Sequence, residues 1–109
     1  MDLKEKKCVP CEGGIPPLNR QEVQPYLDDD PDWEYVEAGV PFIRRVYKFK
    51  SFKGSWSFFD KVAALAEEEG HHPDILVQWN RVTLTLTTHA IKGLSENDFI
   101  MAAKINDLE

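Results

Sequence analysis

The sequence predicts an α+β fold. Its order is helix, strand, strand, helix, strand, strand, helix. Hairpin-joined strands form an antiparallel sheet, with the three helices gathered on its apolar face. Three observations carry this. Residues 52–69 repeat apolar side chains at helical spacing. Residues 82–88 alternate Val82, Leu84 and Leu86 with Thr83, Thr85 and Thr87, so one face is apolar and the other polar. Asn19 and Ser95 stand at helix-cap positions, with Glu22 and Asp98 three places on.

Residues 1–17 are polar and hold Cys8, Cys11, Gly13 and Gly14. They read as a flexible N-terminal arm ahead of one domain over 18–109. Cys8-Val9-Pro10-Cys11 has the spacing of half a zinc site or a redox pair. Without a second cysteine pair, an unligated arm is the expectation. A metal shared between subunits is the alternative.

A first helix is expected over about 20–28, with Leu18 stapled to Val23 and Pro25 shortening or bending it. Trp33–Glu37 reads as a strand, Gly39 and Pro41 as a turn, and Phe42–Lys50 as a second strand. Ile43, Tyr47 and Phe49 share one face of it. Arg45 has their parity, which suits either an acidic partner or the strand end.

The helix over Phe52–Glu69 is capped by Ser51 or Ser55 and left through Gly70. Phe52, Trp56, Phe59, Ala63 and Ala66, flanked by Val62 and Leu65, are expected to form core or a subunit contact. Pro73 keeps His72 extended. Strands 74–79 and 82–88 meet at Asn80-Arg81, which sets Trp79 opposite Val82, Val77 opposite Leu84 and Ile75 opposite Leu86. Carried on, this register sets His72 opposite His89 on the polar face, with Cβ atoms roughly 4.5–5.5 Å apart. Ser95 opens a last helix of about 96–107, with Leu94 and Phe99 placed as a staple.

At 109 residues one domain can hold a modest core. The net charge of −6 argues against direct nucleic-acid binding, which needs a basic stripe. No apolar run is long enough for a membrane span, and residues 1–17 lack the apolar region of a secretory signal. A cytoplasmic location is the expectation.

All three histidines lie between Glu67 and Asp98. Imidazole transfers protons either way near neutral pH, so a cluster of His71, His72 and His89 suits general acid–base catalysis. Glu67, one helical turn before His71, can accept a hydrogen bond from an imidazole. It also belongs to the charge run 67–69, which suits a solvated face. Asp98 is explained by capping alone, and any chemical role is additional. Three imidazoles can also bind zinc, but adjacent extended residues such as His71 and His72 point to opposite faces. No nucleophile and no glycine-rich phosphate loop accompanies them.

Glu67, His71-His72-Pro73, Trp79, His89 and Asp98, with Thr87-Thr88-His89 and Gly93-Leu94-Ser95, resemble the pattern of the pterin-4a-carbinolamine dehydratase family. The resemblance implies a four-stranded antiparallel sheet and dehydration of 4a-hydroxytetrahydropterin to quinonoid dihydropterin. That reaction recycles the cofactor of aromatic amino acid hydroxylases. His71 and His89 would be general acids for the departing 4a-hydroxyl, and His72 would hold the pterin. His71, His72, Pro73, Thr88, His89, Ala90 and Ile91 would line the pocket, supported by Glu67 and Asp98. The resemblance requires no metal or cofactor, and it implies a homodimer or homotetramer. Some relatives bind a homeodomain transcription activator. Roles in molybdopterin metabolism or in assembly are further alternatives.

Overall fold

In the computed structural model, which describes residues 3–9 and 13–109, the expected element order is met. Helices α1 (Arg20–Asp29), α2 (Phe52–Glu69) and α3 (Glu96–Asn106) accompany strands β1 (Glu34–Val36), β2 (Phe42–Lys48), β3 (Asp74–Gln78) and β4 (Arg81–Leu86). Short 3-10 turns add Leu3–Glu5 and His89–Ile91. All pairings are antiparallel, in the order β1-β2-β4-β3. The alternating strand β4 is therefore internal, and its Val82, Leu84 and Leu86 are fully buried. Helix α2 packs on β3 and β4 and touches α3.

The caps form as their chemistry dictates. Asn19 Oδ1 accepts the Glu22 amide at 2.8 Å, and Glu22 Oε1 accepts the Asn19 amide at 2.9 Å. Pro25 neither ends nor shortens α1, which runs on to Asp29. At α2 the cap is Ser51, whose Oγ accepts from Gly54, and Ser55 is buried instead. Gly70 ends α2 in the left-handed region at φ 69°, where its amide still bonds Ala66.

Two expectations need correction. The inward face of α2 is Ser55, Phe58, Val62 and Ala66, with the Phe58 ring 4.6 Å from Tyr47 and 5.2 Å from Phe49. Phe52 and Trp56 are 51% and 57% exposed, so these two are not core, although Val62 and Ala66 of the same expected set are. Aromatic residues occupy both sides of this helix, and spacing alone does not say which side turns inward.

The β3–β4 register also differs. The turn is Trp79-Asn80, so Gln78 faces Arg81, Val77 faces Val82 and Ile75 faces Leu84. Trp79 accepts φ 35°, and the Asn80 carbonyl is tied to the Phe49 amide at 2.7 Å, which fixes the turn one residue early. The pairing thereby shifts by two residues. A shift of two keeps every side chain on its face. Continued past Asp74–Thr85, the observed register sets His72 level with Thr87 and not with His89.

Strand ends are also shorter than expected. β4 stops at Leu86, β2 at Lys48, and Trp33 leaves β1 to lie buried. Arg45 turns out to have partners. Only 16% exposed, it donates to Asn106 Oδ1 at 2.7 Å, stands near Asp32 and Glu109, and lies 4.3 Å over the Tyr47 ring.

The N-terminal segment makes contacts that its composition did not announce. Leu3 joins the core, Lys6 pairs with Glu96, and the Cys8 amide donates to Glu69 Oε1 at 2.9 Å. Glu69 also takes Lys104 Nζ at 2.8 Å and is nearly buried. Burial pushes its carboxyl up, but Lys104 and the Cys8 amide outweigh it and hold the group below the ordinary 4.5. Stability from a lowered acid is present above the unfolded value and is lost as pH falls through the folded one. Glu69→Gln is therefore expected to cost about 1–3 kcal/mol at neutral pH. Urea denaturation should show the gap to wild type narrowing below about pH 4.5.

Candidate active site

A cleft of about 270 Å³ opens at the end of the sheet where α2 exits and β4 finishes. His71, His72, Thr87, Thr88, His89 and Ala90 line it, together with Gly70, Val9 and Asn97. The three histidines thus share one hollow, although not through the register expected for them.

Each arrives by a local cause. Gly70 turns the chain sharply off α2, which leaves His71 pointing inward, only 13% exposed, and His72 outward. His89 begins the 3-10 turn that follows β4. That turn is closed by Lys92 at φ 56° and by the Thr88–Gly93 bridge, whose amides donate to each other's carbonyls at 2.9 and 3.4 Å. Gly93 has to be glycine here, because a Cβ would stand 2.6 Å from Pro17.

His71 Nε2 lies 2.6 Å from Asp98 Oδ1. The fully buried Asp98 also accepts the Thr88 hydroxyl at 2.8 Å and the Ser95 amide at 3.0 Å on Oδ2. Thr88 has one hydroxyl hydrogen, so the Ser95 hydroxyl must be the donor in the 2.8 Å contact between them. Every donor around Asp98 points at it. A carboxylate only accepts, so Nε2 of His71 carries the proton of this bond. The capping residue of α3 is thus also the acceptor that orients His71.

His72 Nε2 lies 2.6 Å from Glu67 Oε2, and both side chains are exposed. Such a pair contributes at most about 1 kcal/mol, so its effect is to aim the ring. The His89 ring makes no hydrogen bond among the described residues. Thr88 and Ala90 line the cleft as expected. Pro73 and Ile91 are buried behind it and do not line it. Glu67 and Asp98 act through His72 and His71 and are not in the lining.

Four lining residues were not foreseen: Gly70, Thr87, Asn97 and Val9. Thr87 donates to the Pro41 carbonyl at 2.8 Å. Asn97 and Val9 pair with each other, and nothing in local spacing signals a contact across 88 positions.

Burial, then the Glu69 carboxylate, pushes the Cys8 thiol up from 9.0 to about 12. It is thus protonated and a poor ligand or nucleophile. Cys11, the other half of that motif, lies outside the described residues. Among the described residues no three His, Cys, Asp or Glu side chains are grouped to hold a metal ion. Nor is any helix long and apolar enough to cross a membrane.

Comparison with known proteins matches residues 16–108 to the family described as pterin 4 alpha carbinolamine dehydratase. A protein of Rubrobacter xylanophilus that carries the provisional name pterin-4-alpha-carbinolamine dehydratase is 44% identical over 107 residues. The match covers 98% of each chain. One of the same name from Methylococcus capsulatus is 45% identical, over 97% of this chain and 92% of its own. Among solved structures, the transcriptional coactivator/pterin dehydratase of Brucella melitensis superposes with a TM-score of 0.79 at 35% identity. That match covers 84% of this chain and 97% of the other. A pterin dehydratase-like protein described as a RuBisCO assembly factor in the alpha-carboxysome gives 0.61 at 28% identity, over 71% of this chain and 88% of its own.

Proposed function

The chain belongs to the pterin-4-alpha-carbinolamine dehydratase family, and from that premise we propose that it eliminates water from a 4a-hydroxytetrahydropterin to give the quinonoid dihydropterin. The observation that supports this best is the His71–Asp98 pair, in one cleft with His72 and His89. The C4a–O bond breaks only if the departing hydroxide receives a proton. The N5–H bond must give up its proton as its electrons form the C4a–N5 double bond. Two proton-transfer groups near one ring are therefore needed.

His89 and His71 fill these positions. His71 would exchange a proton through Nδ1 while Nε2 stays bonded to Asp98, which holds the ring in place. His72, aimed by Glu67, holds the ring edge. Thr87, Thr88 and Ala90 shape the wall. The cleft is slightly below the usual range of about 300–1,000 Å³ for ligand sites, which fits one bicyclic ring.

The chain would serve tetrahydrobiopterin recycling in the cytoplasm as a homodimer or homotetramer. The exposed Phe52 and Trp56 on α2 supply an apolar contact surface for self-association. The descriptions of the coactivator and assembly-factor relatives favour a second reading, a protein-interaction role on the same fold. A direct assay separates the two. Chemically made carbinolamine should dehydrate faster with the protein, with and without chelator. No acceleration despite dihydropterin binding would favour the interaction role.

A further inference from the structure

We propose that Val9 is a substrate-contacting residue of this cleft and that Asn97 is the residue that positions it. This rests on the dehydratase reading of the site and names a specificity element for it.

Val9 lies 62 positions before His71 in the chain, yet it lines the same cleft. Its backbone is held at two points by a single side chain. The Val9 amide donates to Asn97 Oδ1 at 3.0 Å, and Asn97 Nδ2 donates to the Val9 carbonyl at 2.6 Å. This copies the two-bond pairing of an antiparallel ladder, with a carboxamide in place of a second strand. Asn97 is buried on the second residue of α3, one place before Asp98. The anchor of Val9 and the anchor of His71 are thus consecutive residues on one rigid helix.

Neighbouring contacts fix the same segment from other sides. The Cys8 amide is bonded to Glu69, and Cys8 Sγ lies 3.7 Å from the Asn97 carbonyl. Gly13, at φ 86°, lies beside the cleft residue Ala90, whose carbonyl would stand 3.4 Å from a Cβ added there.

The chemistry of the lining says what Val9 is for. The other lining side chains are imidazoles, hydroxyls and a carboxamide, apart from Ala90 and Gly70. Those polar groups can orient a heterocycle by its edge. A flat ring also has two faces that leave water only against apolar atoms. Val9 is the largest aliphatic side chain in the lining, and it is 66% exposed. The Asn97 anchor presents it to the hollow. The family match begins at residue 16, so this wall comes from the segment that precedes it.

The test uses the full-length protein, with steady-state dehydration of 4a-hydroxytetrahydropterin and fluorescence titration with a stable dihydropterin. Val9→Ala removes two methyl groups and should raise KM and the dihydropterin Kd about three- to tenfold, with kcat changed far less. Asn97→Leu should raise them by a similar factor. Asn97→Asp keeps the acceptor for the Val9 amide and should recover part of the loss. If Asn97 acts by placing Val9, the double variant Val9→Ala/Asn97→Leu is no worse than the poorer single one.

KM and Kd unchanged in Val9→Ala would overturn the proposal, as would strictly multiplicative effects in the double variant. Failure of the dehydratase reading appears instead in the wild-type chain, as absent turnover. Titration with the dihydropterin still decides the role of Val9 in that case. A wild-type chain that binds no dihydropterin overturns both.

Discussion

His89→Ala is expected to lower kcat/KM for the carbinolamine by about 10²–10⁴-fold. Its melting midpoint should stay within about 3 °C of wild type. The ring is exposed at the start of the 3-10 turn, and that turn is held by backbone bonds and by Lys92, not by imidazole. On the proposed reading, removing it takes away a proton-transfer group and little else. His71→Ala should lose activity too, but with a cost in stability of about 1–3 kcal/mol, because buried Asp98 then lacks one of three donors. Initial rates alongside thermal melts check both. Wild-type turnover by His89→Ala would remove this residue from the mechanism.

Asn106→Leu is expected to be the most destabilising single change considered, at about 3–4 kcal/mol. Asn106 Oδ1 collects the Tyr47 hydroxyl at 2.6 Å, Arg45 Nη1 at 2.7 Å and Trp33 Nε1 at 3.1 Å. Its Nδ2 reaches both oxygens of Asp30 at 2.7 Å. The substitution keeps roughly the volume and strands the three donors. Burial pushes the Tyr47 phenol far above its ordinary 10.0, although Arg45 pulls the other way, so the group stays a donor that needs an acceptor. Arg45 retains Asp32 and Glu109, which keeps the loss below the sum of its parts. For a domain of this size the midpoint should fall by roughly 15–25 °C. A variant that melts with wild type would show that these contacts contribute nothing net.

The elements that were legible in the sequence are those whose cause is local. Caps at Asn19 and Ser95 and the extent of α2 follow from side chains within one turn of the boundary. The alternation of β4 fixes which face is apolar, and no even shift in pairing can undo it. For that reason the inward set was right while the cross-strand partners were wrong by two. The turn was decided by a tie from Asn80 to Phe49, which periodicity does not contain. The phase of α2 was settled by Phe58 meeting Tyr47 and Phe49, a contact with another element.

At the site, the histidine cluster and Asp98 were visible as a motif, but the reason they meet was not. Asp98 looked like a cap and is one, and the same carboxylate also receives His71. Asn97, Asn106 and Val9 carry no pattern of their own. Their importance comes from partners 59 to 88 positions away.

The imidazoles and both carboxylates that receive them fall between positions 67 and 98, within the run from the last turns of α2 to the first turn of α3. Loops this short cost little chain entropy to close. A chain that has zipped its second hairpin against α2 and docked α3 therefore already holds its three imidazoles in place. The histidine cluster can therefore assemble early in folding, ahead of the long-range contacts that β1 and the N-terminal segment make.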